Sequence, residues 1–587
     1  MDERLSTIVE GTFFLRESEG RDKVINLEDA IRLNVKPGMT LHLGENTSAI
    51  ITEILRQFHR KTPQFSLIAH FVAGYTTELV YSGLIKKLIT SSCSELYPTP
   101  GPSRAIQKAY KEGSIEIENW SMLSLTQRLM AGAFGVPFLP TRSLGGSTMA
   151  EENRESFREI EDPFGAGKAG IVKALNPDLS LIHGWAADRY GNTIIFPPAS
   201  SGQGAWGAFA SKGGILVTVE KLVSTDFIRE HSTFVNIPGY MVNSVSVATM
   251  GAHPYGLFNP GIEGFEGYAA DYDFMIEWRK ARQTNQDLDA FLKEWVLDCE
   301  SHDSYVRKLG ADRISHLKER TKKDYWKKEL ESLSEKLSTT EPYNPTEMMI
   351  IAGARKVGER AQKAGCRVIN AGMGAAALSA WLASFQLRDS GYKVELLMGA
   401  GWYGHTPRPA DPWLLSYSNM LTCKMIGNAV DAYGVMTGAD NKCLTALGAA
   451  QIDKYGNLNS TRTGDSYIIG SGGANDAAKA REVVVVLPQS AGRFLEILPY
   501  ITCSGENVSV VVSNKGIFER SADGELILTG YLPGSKFSTA EEIVKDIKKG
   551  CGWNLKVAPK LEEVSPPSFD ELMTLRLLDP NGLFIKA

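Results

Sequence analysis

The sequence lacks any apolar run approaching the roughly 18 residues that span a membrane. Its opening residues, Met1-Asp2-Glu3-Arg4-Leu5, show no basic stretch leading into an apolar one, so neither a membrane segment nor a secretory leader is expected. There is no basic stripe: 63 Lys and Arg stand against 68 Asp and Glu, a net charge of −5. A nucleic-acid partner is therefore not expected. Cysteine is scarce and scattered, at Cys93, Cys299, Cys366, Cys423, Cys443, Cys503 and Cys551, and none forms a C-x-x-C pair. That spacing argues against a disulfide framework and a zinc site; no metal is expected, and a reducing cytoplasm fits best.

What the chain does have is one phrase said twice. Residues 188–192 read Asp-Arg-Tyr-Gly-Asn and residues 453–457 read Asp-Lys-Tyr-Gly-Asn, 265 positions apart. Each follows an apolar, strand-like run, Leu181 to Ala186 in the first case and Leu444 to Ala450 in the second. Asp opens such a turn, and Gly-Asn tolerates positive φ. Two matching turns in matching contexts suggest two related halves with a site at their interface. The 587 residues, 43% hydrophobic and 22% charged, suffice for two to four domains of about 150 residues each.

Elements alternate along the chain. A helix is predicted at Leu27 to Leu33, a turn at Lys36-Pro37-Gly38, and a strand at Met39 to Leu43. The strand runs into Gly44-Glu45-Asn46-Thr47-Ser48, followed by an amphipathic helix from Ala49 to Phe58. Strand-like runs recur at Phe65 to Phe71, Gly214 to Val219 and Ser244 to Ala248. This patterning predicts an open α/β fold with a largely parallel sheet. Residues 306–342 turn strongly charged with a thin apolar stripe, which reads as a solvated helical linker, assigned to 326–342, between domains at 1–325 and 343–587.

The second half restarts in the same style. A helix at Thr346 to Ala364 leads to a strand at Arg367 to Asn370 and the turn Ala371-Gly372-Met373-Gly374-Ala375. A strand at Lys393 to Met398 ends in Gly399-Ala400-Gly401. Later, Gly470-Ser471-Gly472-Gly473-Ala474-Asn475-Asp476 precedes a Val-rich strand, Val483 to Leu487. Glycine-rich turns at strand ends are where open α/β sheets bring backbone N–H groups to a ligand.

Several stretches carry a family resemblance. In the first half they are Glu116 to Ser121, Gly135 to Pro140, Gly251-Ala252-His253-Pro254, Asp289 to Val296 and Lys308 to Ala311. In the second half they are Ala450 to Thr461 and Gly470 to Asn475. The first half resembles the A chain of glutaconate CoA-transferase and the second half the B chain, so the protein resembles an A–B fusion of family I CoA-transferases. The resemblance implies two related open α/β CoA-transferase domains in tandem, with the active site at their interface. It implies acyl-CoA and a small organic acid as partners, a dicarboxylic acid being one option, and no cofactor beyond the CoA thioester. A chain of this size and kind fits a homo-oligomer.

In that family a glutamate at a B-half strand end attacks the thioester, and CoA passes to the acceptor through an anhydride. A carboxylate suits this because it is both nucleophile and leaving group, with backbone N–H groups holding the oxyanion. If Gly401 matches the family glycine, Gly399 stands where the glutamate belongs. Glu395 would need a four-residue slip to replace it. Relatives without that glutamate include decarboxylases and ring-opening CoA-thioester hydrolases, and a non-catalytic acyl-CoA-binding protein is a further alternative. The candidate replacement is Glu45, a carboxylate in the loop that corresponds to the family's oxyanion loop, with Gly44 and Asn46 at the substrate carbonyl. His253 could bond a substrate carboxylate, and His405 is a second candidate catalytic group beside Gly399. Trp402 and Tyr403 could fill the space of the lost side chain. Gly472, Gly473 and Ala474 resemble the segment that lies against the CoA arm, where small residues allow close approach.

Overall fold

The computed structural model describes residues 2–15, 20–44, 46–165, 167–195, 203–258, 261–438, 442–534 and 537–586. Two large sheets organise the chain. In the first half the spatial order is Val242–Val247, Ile215–Leu222, Leu179–Ala187, Thr40–Leu43, Phe65–Val72, Ile85–Cys93 and Glu116–Asn119. Every neighbouring pair along that path is parallel. The strands are nearly continuous apolar runs because helices cover both faces. Leu179–Ala187 is buried along its whole length.

The second sheet begins Met425–Ile426, Trp402–Tyr403, Glu395–Met398, Val368–Ala371, Cys443–Leu447, Glu482–Val486 and Val508–Val512. It is parallel from Glu395–Met398 to Val508–Val512 and antiparallel at Trp402–Tyr403 and its neighbour. The α/β reading of the sequence therefore holds in both halves. Predicted helices fall close to Leu27–Asn34, Ser48–Phe58 and Pro345–Ala364. The last is bounded by a capping box at Asn344 and a left-handed Gly365, the start and stop signals expected of a helix. Among the described residues no helix is long and apolar enough to cross a membrane.

The twin turns fold alike. Asp188 Oδ1 accepts from the Tyr190 and Asn192 N–H groups at 3.0 and 2.9 Å, and Oδ2 accepts from Asn192 Nδ2 at 2.9 Å. Asp453 repeats the set with Tyr455 and Asn457 at 2.9, 2.9 and 2.8 Å. Gly191 and Gly456 take φ of +94° and +77°. The glycine alone uses positive φ; the asparagine instead locks the aspartate by its side chain.

The charged segment is helical, as expected, and between 306 and 342 only Leu309 and Leu317 are buried. It folds as His302–Leu309, Ala311–Glu319 and Tyr325–Leu333. Within it Arg320 Nη2 meets Glu329 Oε1 at 3.0 Å, with side chains only 13% and 22% exposed. Pairing is what lets two such charges leave water.

Candidate functional site

Three adjacent parallel strands of the first half, Thr40–Leu43, Phe65–Val72 and Ile85–Cys93, end at one cavity of about 200 Å³. Residues just past their C-terminal ends form its floor: Gly44 and Asn46, Ala73 and Gly74, and Glu95 to Tyr97. This is the position at which open α/β sheets bind ligands. The helix Tyr272–Ala281 and the loop containing Tyr255 and Phe258 add one wall. Asp411, Trp413 and Leu415 to Ser418, all from the second half, close the other.

The two halves meet on this wall through hydrogen bonds and rings. Tyr272 Oη donates to Asp411 Oδ2 at 2.7 Å. Burial pushes the Asp411 carboxyl above its ordinary range, against the pull of that bond and of the Trp413 N–H. Tyr97 stacks on Tyr272, with centroids 4.1 Å apart and planes 7° apart, and meets Trp413 edge-on at 5.8 Å. The Arg320 guanidinium lies 4.6 Å from the Tyr272 ring centre and donates to Ala270 O at 2.8 Å.

A second charged cluster stands at the other side of the cavity. Arg282 donates to Glu78 at 2.7 Å and to Glu95 at 2.6 Å, and lies over Trp278 at 4.2 Å. Burial pushes Glu78 up, opposed by Arg282. Tyr255 is pushed up to about 12 by burial. Its hydroxyl occupies the space beside Gly74, where a Cβ would stand 2.2 Å from the oxygen at a φ of +59°. Only glycine serves at that position.

The sequence-derived candidates fall into three groups. Gly44 and Asn46 do line the cavity. Asn46 sits at φ +59° and directs Nδ2 toward Gly256 O at 3.4 Å. Glu45, between them, lies outside the described residues.

A second group supports the cavity from behind. His253 is buried, with Nε2 3.1 Å from Asp271 Oδ2 and Nδ1 2.5 Å from Tyr305 Oη. Burial pushes its imidazole down. Asp271 also receives Arg313 at 2.5 Å and caps the helix that carries Tyr272 and Trp278. Burial would raise Asp271, yet the bonds from His253 and Arg313 hold it well below the carboxylate range. His253 thus positions a wall helix rather than facing a substrate carboxylate, because both its ring nitrogens are already engaged.

Gly399 and Gly401 belong to a three-residue hairpin turn between paired residues Met398 and Trp402. Gly401 takes φ +91° and donates to Met398 O at 2.8 Å, which suits a tight hairpin. Met398, Ala400 and Trp402 pack on the wall residues Phe258, Ala269 and Tyr417. Trp402 meets Phe258 edge-on at 5.4 Å. The space beside Gly399, however, is filled by Tyr433 rather than by Trp402 or Tyr403: a Cβ on Gly399 would stand 1.8 Å from Tyr433 Oη.

The third group lies away from the cavity. Glu395 is the first residue of its strand, at the end opposite Gly399, and pairs with Lys424 at 2.5 Å with its side chain 32% exposed. The structure does not bring it to the cavity: it is not among the lining residues and is engaged with Lys424 instead. His405 is buried, its imidazole pushed down to about 4 by burial, and its Nδ1 has no partner among the described residues. It is not on the cavity wall. Gly472, Gly473 and Ala474 sit where the second half grips the first. Met122 N–H donates to Gly472 O at 3.1 Å and Gly472 N–H to Ser91 O at 2.8 Å. Asp476 accepts from Leu123 N–H at 2.9 Å and Ser143 Oγ at 2.5 Å, and burial pushes its carboxyl up to about 6.

Sequence reading missed Arg282, Arg320, Tyr97, Tyr272, Asp411, Trp413 and Tyr433. No motif joins them, since they come from three separate stretches, around 97, 272–320 and 411–433.

Comparison with known proteins fits this geometry. A family model described as coenzyme A transferase matches residues 24–248. The A chain of glutaconate CoA-transferase from Acidaminococcus fermentans is 32% identical over 321 residues, spanning 50% of this chain and 94% of that protein. The chain belongs to the coenzyme A transferase family. The B chain of the same Acidaminococcus enzyme is 27% identical over 169 residues, 25% of this family member and 61% of that protein. The acyl-CoA transferase YdiF of Escherichia coli O157:H7 shares 16% identity with a TM-score of 0.63, over 96% of this chain and 97% of its own. At that identity it establishes that the CoA-transferase fold runs through both halves.

Proposed function

We propose that this chain is an enzyme of the CoA-transferase type that takes the acyl part of a CoA thioester into the cavity between its halves. The observation that carries the proposal is the cavity itself, placed at three parallel strand ends and closed by Tyr272–Asp411 contact between the halves. Gly44 and Asn46 line it and would meet the thioester carbonyl. Glu45, between them in sequence, is the carboxylate assigned as nucleophile or general base. Of the segment Gly472, Gly473 and Ala474, at the contact between halves, Gly472 and Ala474 are assigned to the CoA arm, the space beside Gly473 being taken by Tyr433. The CoA thioester is the substrate, and no further cofactor is assigned.

A second reading, hydrolysis or decarboxylation without transfer, is favoured by one specific contact. Residue 399 carries no carboxylate, and Tyr433 holds the space one would need. The deciding experiment incubates the full chain with an acyl-CoA and an acceptor acid, reduces with borohydride and maps peptides by mass. A reduced glutamyl adduct together with acceptor-CoA supports transfer through a carboxylate. Free acid and CoA without an adduct support hydrolysis, and CO₂ release supports decarboxylation. Absence of both binding and turnover across a broad acyl-CoA panel would sink the enzyme reading.

A further inference from the structure

We infer that the acyl group received by this cavity is an uncharged ring, aromatic or alicyclic, rather than a short dicarboxylate. The inference rests on the reading of the chain as an acyl-CoA enzyme and names the substrate class of that same site.

Shape is the first argument. The cavity is walled by flat faces held against one another. Tyr97 is stacked on Tyr272 and edged by Trp413, Tyr75 leans on Trp278 at 4.1 Å, and Phe258 meets Tyr417 edge-on at 5.1 Å. Rings locked in such pairs cannot collapse to follow a thin flexible chain. They present faces and edges at the spacing another ring prefers.

Size is the second. An apolar protein cavity of about 150 Å³ admits benzene, and this one measures about 200 Å³. A six-membered ring fits within it, whereas a short straight acyl chain would leave more wall atoms without partners.

Charge is the third. Arg282 already faces Glu78 and Glu95, and Arg320 already faces Glu329 at 3.0 Å with Asp411 nearby. Among the described wall residues every arginine is committed to a carboxylate. Arg282 keeps one buried nitrogen, Nη2, without a partner among the described residues, but its charge is already offset by Glu78 and Glu95, so the distal carboxylate of a dicarboxylic acyl group would lose its water there and meet no uncompensated cation.

The test measures calorimetric affinity of the full chain for benzoyl-CoA, cyclohexanecarbonyl-CoA, butyryl-CoA, glutaryl-CoA and free CoA. The ring thioesters should bind about tenfold more tightly than butyryl-CoA and glutaryl-CoA. Trp413→Ala should weaken the ring thioesters by a similar factor while leaving affinity for free CoA unchanged. Retained CoA affinity also shows that the variant is folded. Glutaryl-CoA or butyryl-CoA binding as tightly as the ring thioesters would overturn the inference while leaving the acyl-CoA reading intact. Failure of every thioester to bind would overturn both.

Discussion

The Tyr433 hydroxyl stands in the space that a side chain at Gly399 would need, 1.8 Å from where its Cβ would be. Gly473, from the loop that grips the first half, leaves the same oxygen the same kind of room, at 1.9 Å. Tyr433 is buried and wedged between two glycines from two different turns. One tyrosine therefore explains why small residues occur at both.

That relationship predicts strong coupling. Gly399→Ala should destabilise by about 2 kcal/mol or more through overpacking, and Tyr433→Ala by about 3–4 kcal/mol through the cavity it leaves. In the Tyr433→Ala background the added methyl of Gly399→Ala should cost little, a coupling on the order of 2 kcal/mol. Urea unfolding of the four proteins measures the cycle, and additive losses would refute the wedge. By the same logic Gly399→Glu alone should fold poorly and gain no transferase activity.

Glu45→Gln preserves size but removes the ability to attack or to accept a proton. Turnover should fall on the order of 10²-fold or more, with CoA-thioester affinity largely kept, since Gly44 and Asn46 still line the cavity. Steady-state kinetics beside calorimetry checks this. Near-normal turnover would clear Glu45 of the role.

Arg282→Met would leave Glu78 and Glu95 facing each other without their common cation. The loss should be about 3–5 kcal/mol, because an uncompensated buried charge remains. Lowering the pH should shrink the deficit, as protonation removes the repulsion and desolvation that the arginine had offset. Thermal melts of variant and parent from pH 8 to pH 5 would show it. A deficit independent of pH would mean that the loss comes from packing on Trp278 instead.

His405 is neutral in the fold, with its imidazole pushed down to about 4 from an ordinary 6.5 by burial. The unfolded chain therefore takes up a proton that the folded chain refuses. This stability is present above pH 6.5 and is lost as pH falls toward 4, at about 1.4 kcal/mol per unit. His405→Gln should flatten that part of the profile of unfolding free energy against pH. An unchanged slope would assign the acid sensitivity to other groups.

The twin turns make a symmetrical prediction. Asp188 and Asp453 each accept three hydrogen bonds of near-equal length within their own pentapeptide. Asp188→Ala and Asp453→Ala should each cost about 2–4 kcal/mol, with no change in CoA-thioester affinity, because neither turn touches the cavity. A selective loss of affinity in either variant would give that turn a binding role.

Local chemistry was enough to read the strands and helices from the sequence, because periodicity, caps and glycine stops act over a few residues. The twin Asp-x-Tyr-Gly-Asn turns were legible for the same reason: their donors and acceptors lie within five positions. The loop at Gly44 and Asn46 could be placed too, since a parallel strand delivers the residues after it to its C-terminal end. The rest of the wall could not. Arg282 finds Glu78 across 204 positions and Tyr272 finds Asp411 across 139, and no spacing rule connects such pairs. Gly399 illustrates the division most sharply. The sequence alone determined that residue 399 is a glycine with no side chain to offer, whereas only the packing of Tyr433 decided that the space beside it is already filled. Burial and contact are properties of the folded chain, set by which distant segments exclude water together, and they decide the character of the cavity.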